Sequence, residues 1–507
     1  MKAVGPFRKI LVANRSEIAV RIMNTCRLMD IPTVGLFAED DRHSLHLDMA
    51  RETYGLGGGE LHETYLNVDK ILKAAESLGA DAIHPGYGLL SERADFCRAC
   101  GERGIVFIGP TPEAMALMGD KRASKEAMEK LGVPLIPGYH GRDNDPKQLL
   151  KEAKRLGTPL LIKASAGGGG KGMRLVEDLS TFSEHLASAM REAQNAFGDD
   201  RVILEKFITN PRHIEVQVLS DAHGGHFHFW ERECSIQRRH QKIIEETPSP
   251  ALDQTLREKI CEAALTICRG IDYLGAGTVE FIFDEASGGG GQFYFLEMNT
   301  RLQVEHPITE MVTGYDLVEG QIRAARGEKL NLTQEEITQR GYALEVRLYA
   351  EDPDAGFLPT TGTVRSIGES RLPGIRLECG LKEGASIGIQ YDPMMAKLCT
   401  HALSREGSIE KMRHLLNDYP FLGLSTNRDY LQRILAHPHF REGKTFTHFV
   451  QTHKKDLSPP KLQNRELAAI AAAYTLSEKE PSFSQENGPQ GGLRDSLFKT
   501  LGGFRNG

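Results

Sequence analysis

A chain of 507 residues with a formal net charge of −7 is long enough for about three domains and too acidic to read as a nucleic-acid binder, whose binding face is basic. Hydrophobic residues make up 40% and charged residues 26%, an ordinary globular balance, and no apolar run approaches the roughly 20 residues of a membrane helix. Met1 to Lys9 carries no apolar signal segment. The eight cysteines are scattered, and the one close pair, Cys97 and Cys100, reads as two packed helix thiols. Such thiols suit a reducing compartment, so a cytoplasmic or mitochondrial-matrix protein is expected.

The first hundred or so residues alternate strand and helix. Lys9 to Ala13, Thr33 to Phe37, Asp81 to His84 and Ile105 to Ile108 are apolar strand segments, and Asn14 or Ser16 can cap a helix running toward Met29. This rhythm predicts a parallel α/β domain. Its first turn, Ala13-Asn14-Arg15-Ser16-Glu17, lacks GxGxxG, so the domain is Rossmann-like in shape without the dinucleotide fingerprint. Gly109-Pro110-Thr111-Pro112 interrupts the chain, and Gly132 to Gly138 forms a second punctuated connection. The expected domains are 1–118, 119–331 with a lid at roughly 137–208, and 332–450. Residues 451–507 read as a linker or the start of a following domain, because the Ser/Glu/Gln/Gly-rich tail cannot build a core.

Four segments carry chemistry. Lys163-Ala164-Ser165-Ala166-Gly167-Gly168-Gly169-Gly170-Lys171-Gly172 follows an apolar strand. Consecutive glycines free backbone N–H groups to turn toward an anion, but Gly172 stands where a Walker A loop needs Ser or Thr. The loop therefore covers phosphates in another way, and it is expected to be mobile until nucleotide binds. In the stretch from Glu297 to His306, Glu297, Asn299, Arg301, Gln303 and Glu305 share one parity and would line one face of an extended chain. Glu280 lies on a preceding strand, separated from Glu297 by a glycine-rich turn. A symmetric hairpin centred between Gly288 and Gly289 pairs the two carboxylates, whose repulsion a divalent cation would relieve. The fourth segment, Glu233 to Lys242, is basic within an acidic protein and reads as a small-anion site.

With these motifs, together with Ile10 to Ala19, His84-Pro85-Gly86-Tyr87-Gly88 and Met118-Gly119-Asp120-Lys121, the chain resembles the biotin carboxylase component of biotin-dependent carboxylases over residues 7 to 450. The resemblance implies an N-terminal α/β domain, an ATP-grasp domain with a glycine-rich lid and a C-terminal domain. It implies ATP-dependent activation of bicarbonate to carboxyphosphate and transfer of CO2 to biotin carried on another domain or chain. It places Lys121, Lys163, Gly168, Gly169, Gly170, Gly172, Met173, Glu205, Lys206, Ile208, His213, Gln237 and His240 around ATP. Glu280, Glu297 and Asn299 would hold Mg2+ or Mn2+, with Glu280 and Glu297 also close to the nucleotide. Arg301, Gln303, Val304 and Glu305 would receive bicarbonate, with Glu305 as the base. Lys242 would stabilise the phosphorylated intermediate, and Arg347, with Tyr87, would face biotin and stabilise its enolate. The implied partners are a biotin carrier, a carboxyltransferase subunit and a second copy of the chain or a larger hetero-oligomer. Neither nucleic acid nor membrane is expected. The competing readings are a carbamoyl-phosphate or purine-pathway ATP-grasp ligase, which would lack the Arg301 to Glu305 arrangement, and a nucleotide-sensing module, which would need neither Glu305 nor Arg347.

Three departures from the family pattern are visible. Ser16 stands where the family usually has glycine and is expected to be remote from the chemistry. The loop between Glu280 and Glu297 is several residues longer than usual. The tail past Ser458 resembles the connection into the next domain of acyl-CoA carboxylase α subunits of the methylcrotonyl type. No Ala-Met-Lys-Met biotinylation motif occurs, and Met394-Met395-Ala396-Lys397 is a superficial match.

Overall fold

In a computed structural model, residues 5–141, 143–165, 172–238, 241–285 and 290–459 are described. The chain begins with β1 (Ile10–Val12), β2 (Thr33–Ala38), β3 (Glu52–Gly57), β4 (Ala82–His84) and β5 (Val106–Phe107). They form an all-parallel sheet in the order β3-β2-β1-β4-β5. β1 is fully buried on both faces, as its unbroken apolar run requires in a helix-covered parallel sheet. The expected α/β layer is therefore present. Neither Asn14 nor Ser16 caps the helix Ser16–Leu28, whose N-cap position falls to Arg15. Asn14 instead donates to the carbonyls of Pro85 and Tyr87 at 2.7 and 2.8 Å, tying the first βα turn to the His84 to Gly88 turn. The thiols of Cys97 and Cys100 stay free on the helix Ala94–Glu102, and burial pushes both up to about 12.

A small antiparallel sheet follows, made of β6 (Gly138–Tyr139), β7 (Leu160–Ala164), β8 (Arg174–Val176) and β9 (Val202–Lys206) in the order β6-β9-β7-β8. The main sheet holds β10 (Pro211–Ser220), β11 (His226–Arg238), β12 (Gln241–Thr247), β13 (Gly275–Asp284), β14 (Gln292–Asn299) and β15 (Tyr342–Tyr349), with Met394–Ala402 and Ile375–Cys379 beyond β15. It is one antiparallel sheet of eight strands. It runs continuously across position 331, because β12 pairs with β15, Ile244 facing Val346. Side chains of both strands enter one apolar core with the helix Arg405–Asp418.

Ser16 adopts φ +55°, the left-handed region that costs an L-residue about 1–2 kcal/mol. It packs so closely on Gly380 that a Cβ on that glycine would come within 2.4 Å of the Ser16 backbone. Ser16→Gly should therefore stabilise the fold by roughly 0.5–1 kcal/mol, the strain relieved less the chain entropy a glycine adds. Denaturant unfolding of the two proteins measures the difference. A lower midpoint for the glycine variant would mean that the serine is not strained.

Candidate active site

Three neighbouring strands of the main sheet place carboxylates in a row. Glu215 of β10 faces Glu280 of β13, and Glu280 faces Glu297 of β14. The Glu280–Glu297 pairing expected from the sequence is present, but the hairpin is not strictly symmetric. Near the turn Phe281 faces Phe295, and the register shifts by one residue before Glu280 meets Glu297. Leu296 is the extra residue of this bulge, which re-aims the end of β14.

The alternation read beyond Glu297 does not hold as a strand. β14 ends at Asn299, and the chain turns through residues 301–305 into the helix His306–Thr313. The turn still gathers these side chains. Arg301 donates from Nη1 to Gln303 Oε1 at 2.9 Å and from Nη2 to Asn299 Oδ1 at 3.2 Å, while its Nε reaches Glu92 at 2.9 Å. Glu305 is fully buried at the N-cap position of the helix.

Lys242 of β12 joins Glu215 and Glu280 of this row to Glu305. Its Nζ lies 2.5 Å from Glu215, 2.8 Å from Glu280 and 2.8 Å from Glu305. Burial alone would lower the Lys242 pKa, but the three carboxylates outweigh it and hold the ammonium well above its usual range. Burial likewise disfavours the Glu305 carboxylate. Lys242, Arg347 and Arg232 override that cost and hold its pKa well below the usual carboxylate range. Arg347 donates from Nη2 to Glu305 at 3.0 Å and from Nε to Glu245 at 2.6 Å. Beneath them Arg232, wholly buried, donates to Glu215 at 2.6 Å and to Gln217 at 2.9 Å.

Glu280 also accepts from Asn299 at 2.8 Å and Gln303 at 3.2 Å, and its other oxygen lies 2.9 Å from His213 Nε2. Its pKa is lowered, because Lys242 and His213 overcome the burial cost. That of Glu297 moves upward, through enclosure by protein and then the charge of Glu280, although its side chain opens onto the cavity. Two oxygen-donor groups of which one resists ionisation make a fitting set for a hard divalent cation, which binds through carboxylates and substrate phosphates.

Of these groups, His213, Lys242, Glu280, Glu297, Asn299, Arg301, Gln303 and Arg347 line a cavity of about 490 Å³, within the range of small-ligand sites. One wall carries Lys121, Lys125 and Lys163, and Met173 and Gln237 also border it. Lys125 and Lys163 both bond the buried Glu205. Burial and then the neighbouring lysines depress both, Lys163 to about 8 and Lys125 well below its usual range. This crowding of cations beside one carboxylate favours an incoming polyanion. Lys125 escaped the sequence reading. Its signal was spacing, since it sits four residues after Lys121 on one face of the helix Lys121–Lys130.

Glu205 lies behind the lysines, and Lys206 and Ile208 are not among the lining residues. Gly172 precedes Met173 at φ +71°, and a Cβ there would meet that of Ala164 at 2.9 Å, so the close approach requires glycine. Gly168, Gly169, Gly170 and His240 lie outside the described residues, as does the centre of the longer hairpin loop at 286–289.

A second cavity of about 330 Å³ shares Gln241, Arg301, Val304 and Arg347 with the first and adds Tyr87, Asn14 and Ser16. Ser16, which the sequence suggested would lie apart from the candidate site, thus borders the same cavity as Arg301 and Arg347. The first βα turn lies beside Arg347 because of the fold, not because of any local spacing.

Three family models match the chain in succession: the biotin carboxylase N-terminal domain over residues 6–115, the carbamoyl-phosphate synthase L chain ATP binding domain over 120–333, and the biotin carboxylase C-terminal domain over 345–452. A biotin carboxylase of Halalkalibacterium halodurans is 48% identical over 89% of this chain and 98% of its own length. The chain belongs to the biotin carboxylase family. The flanking matches to biotin carboxylase domains set aside the carbamoyl-phosphate-type alternative, although the middle model carries that description. The methylcrotonoyl-CoA carboxylase subunit alpha of Mus musculus, a mitochondrial protein, is 46% identical over 94% of this chain. The chain spans 66% of that relative's length.

Among solved structures, the biotin carboxylase domain dimer of Hydrogenobacter thermophilus 2-oxoglutarate carboxylase, in complex with MgADP, ADP and bicarbonate, superposes with a TM-score of 0.85. It is 44% identical and covers 90% of this chain and 99% of its own. Biotin carboxylase from Campylobacter jejuni superposes with a TM-score of 0.84 at 41% identity, covering 88% and 99%. The fold class and the enzyme class expected from the sequence, an ATP-dependent ligase on an ATP-grasp biotin carboxylase fold, agree with these relatives. They include mitochondrial and bacterial proteins, and among the described residues no helix is long and apolar enough to cross a membrane.

Proposed function

We propose that this chain carries out the first half-reaction of an acyl-CoA carboxylase: ATP- and bicarbonate-dependent carboxylation of biotin held on a carrier domain or protein. The single observation that carries the proposal is the junction of the two cavities. A lysine-walled, carboxylate-lined cavity meets a Tyr87-bordered cavity at Arg301, Val304 and Arg347, beside the buried Glu305. Phosphoryl transfer needs positioning and charge neutralisation, and the following carboxyl transfer needs a second substrate within reach of the first product.

In this reading Lys121 and Lys163, joined by Lys125, take the phosphates of ATP, with Met173, His213, Gln237 and the glycine loop around the nucleotide. Glu280 and Glu297, with Asn299 beside them, hold Mg2+ or Mn2+, which would neutralise charge on the phosphates. Arg301, Gln303 and Val304 receive bicarbonate, and Glu305 takes its proton. Lys242, freed from part of its carboxylate cage, stabilises the phosphorylated intermediate. Arg347 stabilises the biotin enolate, and Tyr87 borders the biotin. Domain divisions near 118, 331 and 450, a lid over the nucleotide, a homodimer, a carboxyltransferase partner of the methylcrotonyl type and a matrix or cytoplasmic location belong to the same proposal.

Bicarbonate-dependent release of ADP in the presence of free biotin, with carboxybiotin formed in step, tests the function. ADP release that ignores both bicarbonate and biotin would point to another ligase or a sensor. For the metal, Glu297→Gln should raise the Mg2+ concentration needed for half-maximal activity and depress ATP turnover. An Mg2+ titration superimposable on that of the parent would remove Glu297 from the metal set.

A further inference from the structure

The geometry points to a second metal site, for a borderline transition cation such as Zn2+, formed by His437, His439 and His453 at the C-terminal end of the described unit. One ring nitrogen of each histidine lies within 4.8 Å of one on each of the others. None of the three lines either cavity of the active site. The centroids of the His437 and His453 rings are 4.2 Å apart and those of His439 and His453 4.9 Å apart, and all three rings border one surface depression with Asp456.

The decisive contact is the hydrogen bond between His439 Nδ1 and His453 Nε2, 3.2 Å long, whose shared proton a bound metal ion would replace. Two nitrogens each about 2.0–2.1 Å from a tetrahedral zinc stand roughly 3.3–3.4 Å apart, so this pair already sits at close to ligand spacing. Asp456 supports it from behind, with its Oδ2 3.6 Å from His453 Nδ1. At that ion-pair distance the carboxylate favours an Nδ1–H on His453, which leaves Nε2 to accept from His439, and it lies on the side where metal-bound histidines commonly carry an outer-shell partner. His437 now accepts the His439 amide at Nδ1 (3.2 Å) and turns Nε2 to within 3.7 Å of Asp456. Its entry into the coordination sphere exchanges one of these contacts for a metal bond.

The scaffold is held independently of any ion. Pro438 opens the short helix Pro438–Arg441, Phe449 packs against the rings of His437 and His453, and Arg433 donates to the Leu457 carbonyl at 2.8 Å. Imidazoles select zinc-like ions over magnesium, whereas Glu280 and Glu297 offer the hard oxygens magnesium prefers. The two sites should therefore load separately. Bound zinc would clasp the helix 438–441 to the segment 453–457 and stabilise the folded unit by mass action.

The test is zinc binding to the full chain after chelator treatment, measured by equilibrium dialysis in excess Mg2+ so that the active-site carboxylates are not competing. One equivalent of zinc is expected for the parent and for Glu297→Gln, and none for the His439→Gln/His453→Gln double variant. Asp456→Asn should weaken binding on the order of ten- to hundredfold, the scale of outer-shell partners. The double variant should keep the parent's rate of ATP-dependent biotin carboxylation. Cobalt loaded into the parent should show the intense visible bands of a tetrahedral ion, a reading that needs no variant and survives a failure of the variant to fold. Absence of saturable zinc uptake by the parent, full uptake by a folded double variant, or a weak octahedral cobalt spectrum would each overturn the site.

Discussion

Glu305→Gln is expected to lower carboxylation of free biotin by about a hundredfold or more, the scale of a positioned general base, while ATP affinity should change far less. The substitution keeps the shape and removes the charge. The structure sharpens this expectation. Glu305 is held ionised by Lys242, Arg347 and Arg232 against its own burial, so the resting carboxylate is a poor proton acceptor. In the proposed reaction it would act as a base only once the incoming anion draws Lys242 and Arg347 partly away from it, and geometry would then matter more than resting basicity. Steady-state carboxylation, measured beside ATP affinity for the same variant, separates the possibilities. Turnover within a few-fold of the parent would mean that Glu305 is not the base. Collapse of both quantities together would mean that the residue only keeps Lys242 and Arg347 in place.

Lys242→Met is expected to cost roughly 3–5 kcal/mol of stability, the range for breaking a buried ion pair and leaving its partner charged. Three carboxylates, Glu215, Glu280 and Glu305, lose the ammonium that lies between them, while Arg232 and Arg347 still serve two of them. The pH dependence follows from the signs. Glu280 and Glu305 have depressed pKa values in the fold. Their pairing therefore contributes stability above the unfolded carboxylate range, near pH 4, and that contribution is lost as pH falls through their lower folded values. The raised Lys242 contributes stability that is fully present below its unfolded value and lost only as pH rises through its still higher folded value. The variant should thus fall furthest behind the parent near neutral pH and close the difference in acid, where the stranded carboxylates take up protons. Denaturant unfolding of both proteins at neutral and acidic pH measures this. A difference that stays constant with pH would show that lost packing, and not lost charge, accounts for the defect.

Some of the site was legible in the sequence because local physics sufficed. Parallel α/β rhythm follows from short apolar runs separated by helical stretches, and the structure carries it as the sheet through β1. The Glu280–Glu297 pairing followed from a hairpin whose arms are contiguous in the chain, and it survives a bulge. The Glu297 to Glu305 stretch drew notice through alternation, yet only Glu297 and Asn299 lie on the strand. Arg301, Gln303 and Glu305 reach the site because the chain turns into the helix His306–Thr313, and strand parity says nothing about a turn.

By itself the sequence determined the order of elements, the hairpin that opposes two carboxylates and a set of motifs that resembles the biotin carboxylase family. Those properties reside in neighbouring residues, in their periodicity, turn chemistry and side-chain type. Only the tertiary structure decided that Glu215 joins Glu280 and Glu297 in one row and that Lys242 bonds all but the last of that row together with Glu305. It also decided that Lys125 stands beside Lys163 on Glu205, that the strained Ser16 borders the same cavity as Arg347, and that three histidines up to sixteen positions apart converge. Each of these depends on side chains brought together from separate strands, helices and turns of the fold. Register and packing are set by which apolar faces bury together across the whole fold, and no window of local sequence contains that sum.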